Sequence, residues 1–184
     1  VLNPDKIPRR YEFLDPTGQI YKEYDAKKHK SLKFDLAVVV DTNDHKRLGP
    51  LWDYFLSNVK QVLFFDHHPN IREAVLPEIK IEKGGSQIYS IVDVKSSSIG
   101  ELLYRLFHQA HDELDAKSTS FVFTADIALG LYVSIITDTN SFRYSRTTAL
   151  SHRIAAELID YGLQPEEIYQ NVYSTKSVTH LRLI

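Results

Sequence analysis

The chain has 184 residues, a formal net charge of −2, 43% hydrophobic and 25% charged residues, and no cysteine. That is ordinary globular composition, with length for one domain or for one domain and part of another. Disulfides, thiolate metal sites and a cysteine nucleophile are excluded, and without a broad basic field the chain is not expected to bind long duplex nucleic acid by charge alone.

In chain order, "FDLAVVVDT" (34–42) and "QVLFFD" (61–66) come first as continuous apolar runs without alternation. Each is too short for a typical helix, so each reads as a strand buried on both faces. Between them "PLWDYFLSNVK" (50–60) fits a short helix with Pro50 near its first turn. Strand, helix, strand implies a right-handed crossover and a parallel sheet. A further strand is expected at "QIYSIVDV" (87–94), after a turn at Gly84-Gly85. "SSIGELLYRLFHQAHDEL" then opens a long helix, with Ser98 and Glu101 as a capping-box pair and Leu102, Leu103, Leu106 and Phe107 as its apolar stripe. Further helices are expected at roughly 119–137, at roughly 148–161 ending at Gly162, and from Pro165 onward. The architecture expected is α/β: a mostly parallel sheet flanked by helices, with a helix-rich second half. The most apolar stretch, "ADIALGLYVSII" (125–136), carries Asp126 and falls short of the roughly 20 residues a spanning helix needs. No membrane association is expected, and the cytoplasm is the default location.

Three places carry residues able to do chemistry. Asp41 ends the first buried run and Asp66 the second. In open parallel sheets, sites form beyond the carboxyl ends of the strands. Two aspartates there would repel unless a cation or proton lay between them. His67 and His68 follow at once, and imidazole with carboxylate suits Mn, Fe, Co or Zn. Each residue has an ordinary alternative: a strand-end aspartate is often only a turn or helix cap, and a lone histidine is more often a satisfied polar group. Asp138 lies among Thr137, Thr139 and Asn140 at the end of an apolar helix. A carboxylate there opposes the helix dipole, which a nearby cation or plain solvation would relieve. Arg143 and Arg146 come next and could clamp a phosphate, or be surface arginines. Asp44-His45 could extend the site, or Asp44 could equally be a helix cap or turn residue; His108 and His111 near a helix end, and Ser96-Ser97-Ser98 as a helix-start loop, read as structural.

Taken together, "VVVDTNDHKRLG", "FFDHHPN" and "LYVSIITDTNSFRYSRTT", with "SSSIGELLYRL" between the last two, resemble in order and spacing the motifs of the DHH phosphoesterase family. The nearest branch is the oligoribonuclease and 3′-phosphoadenosine-5′-phosphate phosphatase group, which includes cyclic-dinucleotide phosphodiesterases. The resemblance implies a two-manganese site. Asp41 would bridge the metals, and His67 and Asp138 would bind one of them. Asp66 would orient the histidines, and His68 would face the scissile phosphate. The implied substrates are short oligonucleotides, nucleotides or cyclic dinucleotides; a homodimer is left open.

The family's first motif, a histidine and two aspartates, should precede the Asp41 strand. "LNPDKIP" (2–8) lacks that histidine and the second aspartate, and better matches the stretch that follows the motif. The chain opens with Val1 and holds no Met. Residues 1–184 are therefore expected to be a catalytic domain incomplete at its N-terminus, separated from a C-terminal substrate-binding domain, and by themselves weak in metal binding and hydrolysis. Two rival readings stand beside the enzyme: a catalytically inactive nucleotide-binding or regulatory module of the same fold, and a DHH-type pyrophosphatase.

Overall fold

The computed structural model describes residues 1–20, 22–29, 32–69, 87–115 and 122–174. The chain divides into two compact units, Val1–Lys6 with Tyr21–Ile99, and Ile7–Ile20 with Gly100–Ile184.

The first unit is built on a parallel sheet of β3 (Phe34–Val40), β4 (Val59–Asp66) and β5 (Gln87–Val92), in the order β3-β4-β5. The helix α2 (Pro50–Asn58) joins β3 to β4, with Pro50 in its first turn as expected. Ahead of it, Asp44 caps a 3₁₀ turn at His45–Leu48, its Oδ1 accepting from the Lys46 N–H at 2.9 Å. A two-stranded parallel sheet of β1 (Leu2–Asn3) and β2 (Lys22–Glu23) and a single helical turn, α1 (Ala26–His29), complete the unit. The Gly84-Gly85 turn lies outside the described residues.

Register decides which side chains reach the core. Val39, Val62, Phe64 and Ile88 share one face of the sheet and pack against Leu48 and α2 residues Leu51, Trp52 and Phe55. The opposite face differs from the expectation of burial on both sides. Leu36, Val38 and Val40 remain 48–52% exposed on β3, and Tyr89 and Ile91 are 49% and 45% exposed on β5. The reason is that α2, the helix packed on this sheet, covers only the Ala37/Val39 side. On the central strand Phe65 is nonetheless buried.

The second unit is helical. α3 (Ile99–Asp115), α4 (Ala125–Asp138), α5 (Ala149–Ile159) and α6 (Pro165–Tyr173) follow a 3₁₀ segment at Arg9–Leu14. α4 supplies much of the core through Ala128, Leu131, Tyr132, Val133, Ile135 and Ile136. Ile154, Ala155 and Leu158 of α5, and Ile168 and Val172 of α6, pack on the same cluster. Three polar ties fix the helices. Ser151 Oγ donates to the buried Glu101 carboxylate at 3.1 Å, Tyr173 OH to the Ile136 carbonyl at 2.8 Å, and Tyr104 OH to Glu157. Burial and the Glu157 charge push the Tyr104 phenol far up, so it stays a donor. Thr148 and Ser151 form a reciprocal capping box that starts α5, and Gly162 at φ +87° closes the turn after it. No helix among the described residues is long and apolar enough to cross a membrane.

Candidate metal centre

The register Val40↔Phe65 brings the carboxyl ends of β3 and β4 level, so Asp41 emerges beside Asp66. The Asp41 N–H extends the ladder, donating to the Phe65 carbonyl at 2.9 Å. Its backbone then turns to φ +66°, a left-handed conformation that aspartate tolerates better than most residues. Residues in such conformations collect at functional sites.

Asp41, Asp66, His67 and His68 each place a ligand-type atom within 4.8 Å of the others. Asp66 and His67 are fully buried, whereas the side chains of Asp41 and His68 are 49% and 41% exposed. The cluster therefore has a sealed inner half and an open outer half. Asp66 Oδ1 organises it, accepting from the His67 N–H at 2.8 Å, the His68 N–H at 3.2 Å and His68 Nδ1 at 2.8 Å. Because a carboxylate only accepts, His68 carries a proton on Nδ1, which leaves Nε2 for other work. Asp66 Oδ2 is buried with no hydrogen-bond partner among the described residues.

His67 is set up differently. Its Nδ1 faces the Ser96 carbonyl at 3.4 Å, and its Nε2 faces Asp41 Oδ1 at 3.3 Å. A carbonyl also only accepts, so this arrangement assigns the proton to Nδ1 and turns the Nε2 lone pair toward a carboxylate oxygen. Two acceptors cannot face each other at that distance without a proton or metal ion between them. Imidazole nitrogen, carboxylate oxygens and an orphaned buried oxygen fit a divalent cation of the Mn, Fe or Zn kind.

No protein-family model matches the chain. It is 27% identical over 141 residues to the bifunctional oligoribonuclease and PAP phosphatase NrnA of Bacillus subtilis (strain 168), a match covering 77% of this chain and 38% of that protein. The chain is related to the DHH phosphoesterases. Two solved structures share the fold of this chain. An exopolyphosphatase-related protein from Bacteroides fragilis superposes with a TM-score of 0.76 at 22% identity, over 100% of this chain and 49% of that one. A Methanococcus jannaschii protein assigned to the family II inorganic pyrophosphatases gives 0.58 at 19% identity, over 90% of this chain and 50% of that one. The chain thus spans about two fifths of the NrnA relative and about half of each solved chain.

Of the residues singled out in the sequence, Asp41, Asp66, His67 and His68 form this cluster, all within the first unit. Asp138, Arg143 and Arg146 belong to the second unit. Asp138 ends α4, and its charge helps to raise the Tyr11 phenol, whose shift is led by burial. The loop after it holds Asn140, Ser141 and Phe142 in succession at φ +48°, +55° and +65°, with the Phe142 ring stacked on His152 at 4.7 Å. The buried Thr139 anchors this turn, its hydroxyl donating to the Ile135 carbonyl at 2.6 Å and accepting from the Phe142 N–H at 3.0 Å. His108 is exposed and rests on Tyr104 at 4.2 Å, as a surface histidine would.

Two residues of the site escaped the sequence reading. Asn43 Nδ2 donates to the His68 carbonyl at 3.2 Å, tying the loop after β3 to the histidine pair. Asp93 folds the turn that carries Ser96. The only local signal was Asp-x-x-Ser at 93–96, a common Asx-type turn pattern. The recess lined by Lys33, Phe34, Asp35, Asn58, Val59 and Lys60 sits instead at the amino ends of β3 and β4. It holds an exposed Lys60–Asp35 pair at 2.6 Å and, among the described residues, no comparable ligand cluster.

Proposed function

We propose that the chain is the catalytic part of a manganese-dependent phosphoesterase that acts on short oligonucleotides or small nucleotides in the cytoplasm. The observation that carries the reading is the convergence of Asp41, Asp66, His67 and His68, with His67 Nε2 only 3.3 Å from Asp41 Oδ1, an approach that a proton or a divalent cation between the two atoms satisfies. When bound, divalent ions supply a water of lowered pKa and stabilise charge on the phosphoryl oxygens. In this reading Asp41 would bridge the ions, and His67 and Asp138 would bind one of them. Asp66 holds the His68 ring in one tautomer and, through the backbone N–H groups of both histidines, orients the pair. His68, half exposed and steadied by Asp66, faces the substrate phosphate and carries or donates a proton there. Arg143 and Arg146 clamp a phosphate of the nucleotide. Support comes from the NrnA relative, which is named an oligoribonuclease and PAP phosphatase.

The test is on the full-length protein with Mn²⁺, offering a diribonucleotide, 3′-phosphoadenosine-5′-phosphate, cyclic di-AMP and inorganic pyrophosphate in parallel. Release of mononucleotide or phosphate from a nucleotide substrate is expected. Turnover of pyrophosphate alone would replace this reading with the pyrophosphatase one, and no turnover would favour an inactive nucleotide-binding module. Asp41→Ala is expected to abolish both Mn²⁺ binding and activity. His68→Ala is expected to keep Mn²⁺ affinity by calorimetry while turnover falls about a hundredfold or more. Equal loss of metal affinity in both variants would make His68 a ligand.

A further inference from the structure

Resting on the metal-dependent reading above, we propose that Asp93 is a positioning residue for His67. It fixes the imidazole through the turn 93–96 without itself touching metal or substrate. Asp93 follows β5 directly, and its N–H donates to the Asp66 carbonyl at 3.0 Å, so its backbone is anchored to the strand that carries the site. Both carboxylate oxygens then act inside the turn. Oδ1 accepts from the Lys95 N–H at 3.0 Å, and Oδ2 from Ser96 Oγ at 3.1 Å. The Asp93 carbonyl accepts from the Ser96 N–H at 3.0 Å. Held this way, the buried Ser96 presents its own carbonyl to His67 Nδ1.

The geometry makes His67 sensitive to that turn. The His67 ring is fully buried, so its Nδ1 proton needs an acceptor inside the protein. At 3.4 Å the Ser96 carbonyl sits near the outer limit of a hydrogen bond, and a small drift of the turn breaks it. The imidazole would then move its proton to Nε2, where Asp41 Oδ1 accepts it. That tautomer keeps its lone pair on Nδ1 and has none at Nε2, on the Asp41 side, to offer a metal. Acceptors behind metal-binding histidines typically change affinity by about 10- to 100-fold.

The experiment uses the full-length protein as wild type, Asp93→Ala, Asp93→Asn and Ser96→Ala, with His67→Ala as a control for the site. Mn²⁺ affinity is measured by calorimetry, kcat at saturating Mn²⁺, and the His67 Nδ1–H resonance by ¹⁵N NMR of the Zn²⁺-loaded form. In Asp93→Ala the affinity is expected to fall about 10- to 100-fold, the Nδ1–H resonance to broaden by faster exchange, and kcat to return at saturating metal. Asp93→Asn, still able to accept from Lys95, should lose less. An Asp93→Ala protein with wild-type affinity and an unchanged resonance overturns the proposal and leaves the metal reading standing. Wild-type Mn²⁺ binding that His67→Ala does not weaken overturns both. Should Asp93→Ala fail to fold, Ser96→Ala decides: it keeps the carbonyl and loses one bond of the turn. A several-fold loss of affinity there supports the proposal, and no change in affinity or resonance overturns it.

Discussion

Asn140, Ser141 and Phe142 occupy left-handed backbone conformations in immediate succession, although none is glycine. Each such residue stores strain, of order 1–3 kcal/mol, and persists only where the surroundings impose it. Here the Thr139 hydroxyl and the Phe142–His152 stack do the imposing. The Ser141 hydroxyl is moreover buried without a hydrogen-bond partner among the described residues. Ser141→Gly is therefore expected to hold or raise stability by up to about 1 kcal/mol, since it relieves both the φ strain and the orphaned hydroxyl. Ser141→Val, β-branched at φ +55°, should cost roughly 1–3 kcal/mol. Denaturant midpoints of the two variants check this; equal midpoints would mean that the loop relaxes freely. None of this was legible in "TDTNSFRYS", because the usual sign of a left-handed run is glycine and there is none. "FFDHHPN" was legible because strand end, carboxylate and paired imidazoles fall in one short string. Asn43 and Asp93 were not, since each acts on a loop distant in sequence or through a backbone carbonyl.

Among the elements, α3 and α4 approach unusually closely. A Cβ on Gly100 would lie 2.7 Å from the Leu131 carbonyl oxygen and 2.9 Å from Ser134 Cβ, while the Gly100 N–H donates to Ser134 Oγ at 3.0 Å. Neither neighbour is a flexible side-chain tip. Gly100→Ala should force the first turn of α3 outward and cost about 1–3 kcal/mol. Pairing it with Ser134→Gly should recover only part, because the carbonyl clash remains. Thermal melts of both proteins test this; full recovery in the double variant would locate the whole clash at Ser134. The sequence announced α3 by its capping pair and apolar stripe, and a helix at roughly 119–137 where α4 runs from Ala125 to Asp138. It could not announce the close approach, which depends on partners 31 to 34 residues away. Nor could "FDLAVVV" say that one face of β3 would remain exposed, since an unbroken apolar run carries no alternation to tell one face from the other.

At the scale of the whole molecule, metal binding and stability are linked. A cation held by Asp41 and His67, as proposed, would bind only the folded arrangement. At a Mn²⁺ concentration 100 times the Kd, the folded state gains about 2.7 kcal/mol, which shifts a melting midpoint by several degrees. The full-length protein should melt higher with Mn²⁺ than with chelator, and Asp41→Ala should not respond. An equal rise in that variant would place the stabilising ion elsewhere.

The eight residues of β4 have a genetic consequence. Val62 and Phe64, both fully buried, hold the sheet to α2, and the same strand delivers Asp66 and then His67 to the cluster. Truncating the first pair loosens packing by a few kcal/mol, a loss that cold can offset and heat cannot. Under the proposed function, changing the second pair would remove chemistry that no temperature restores. In cells that depend on this protein, conditional alleles should therefore gather at codons 62 and 64, and unconditional ones at 66 and 67, within a stretch of coding sequence too short for a genetic map to resolve.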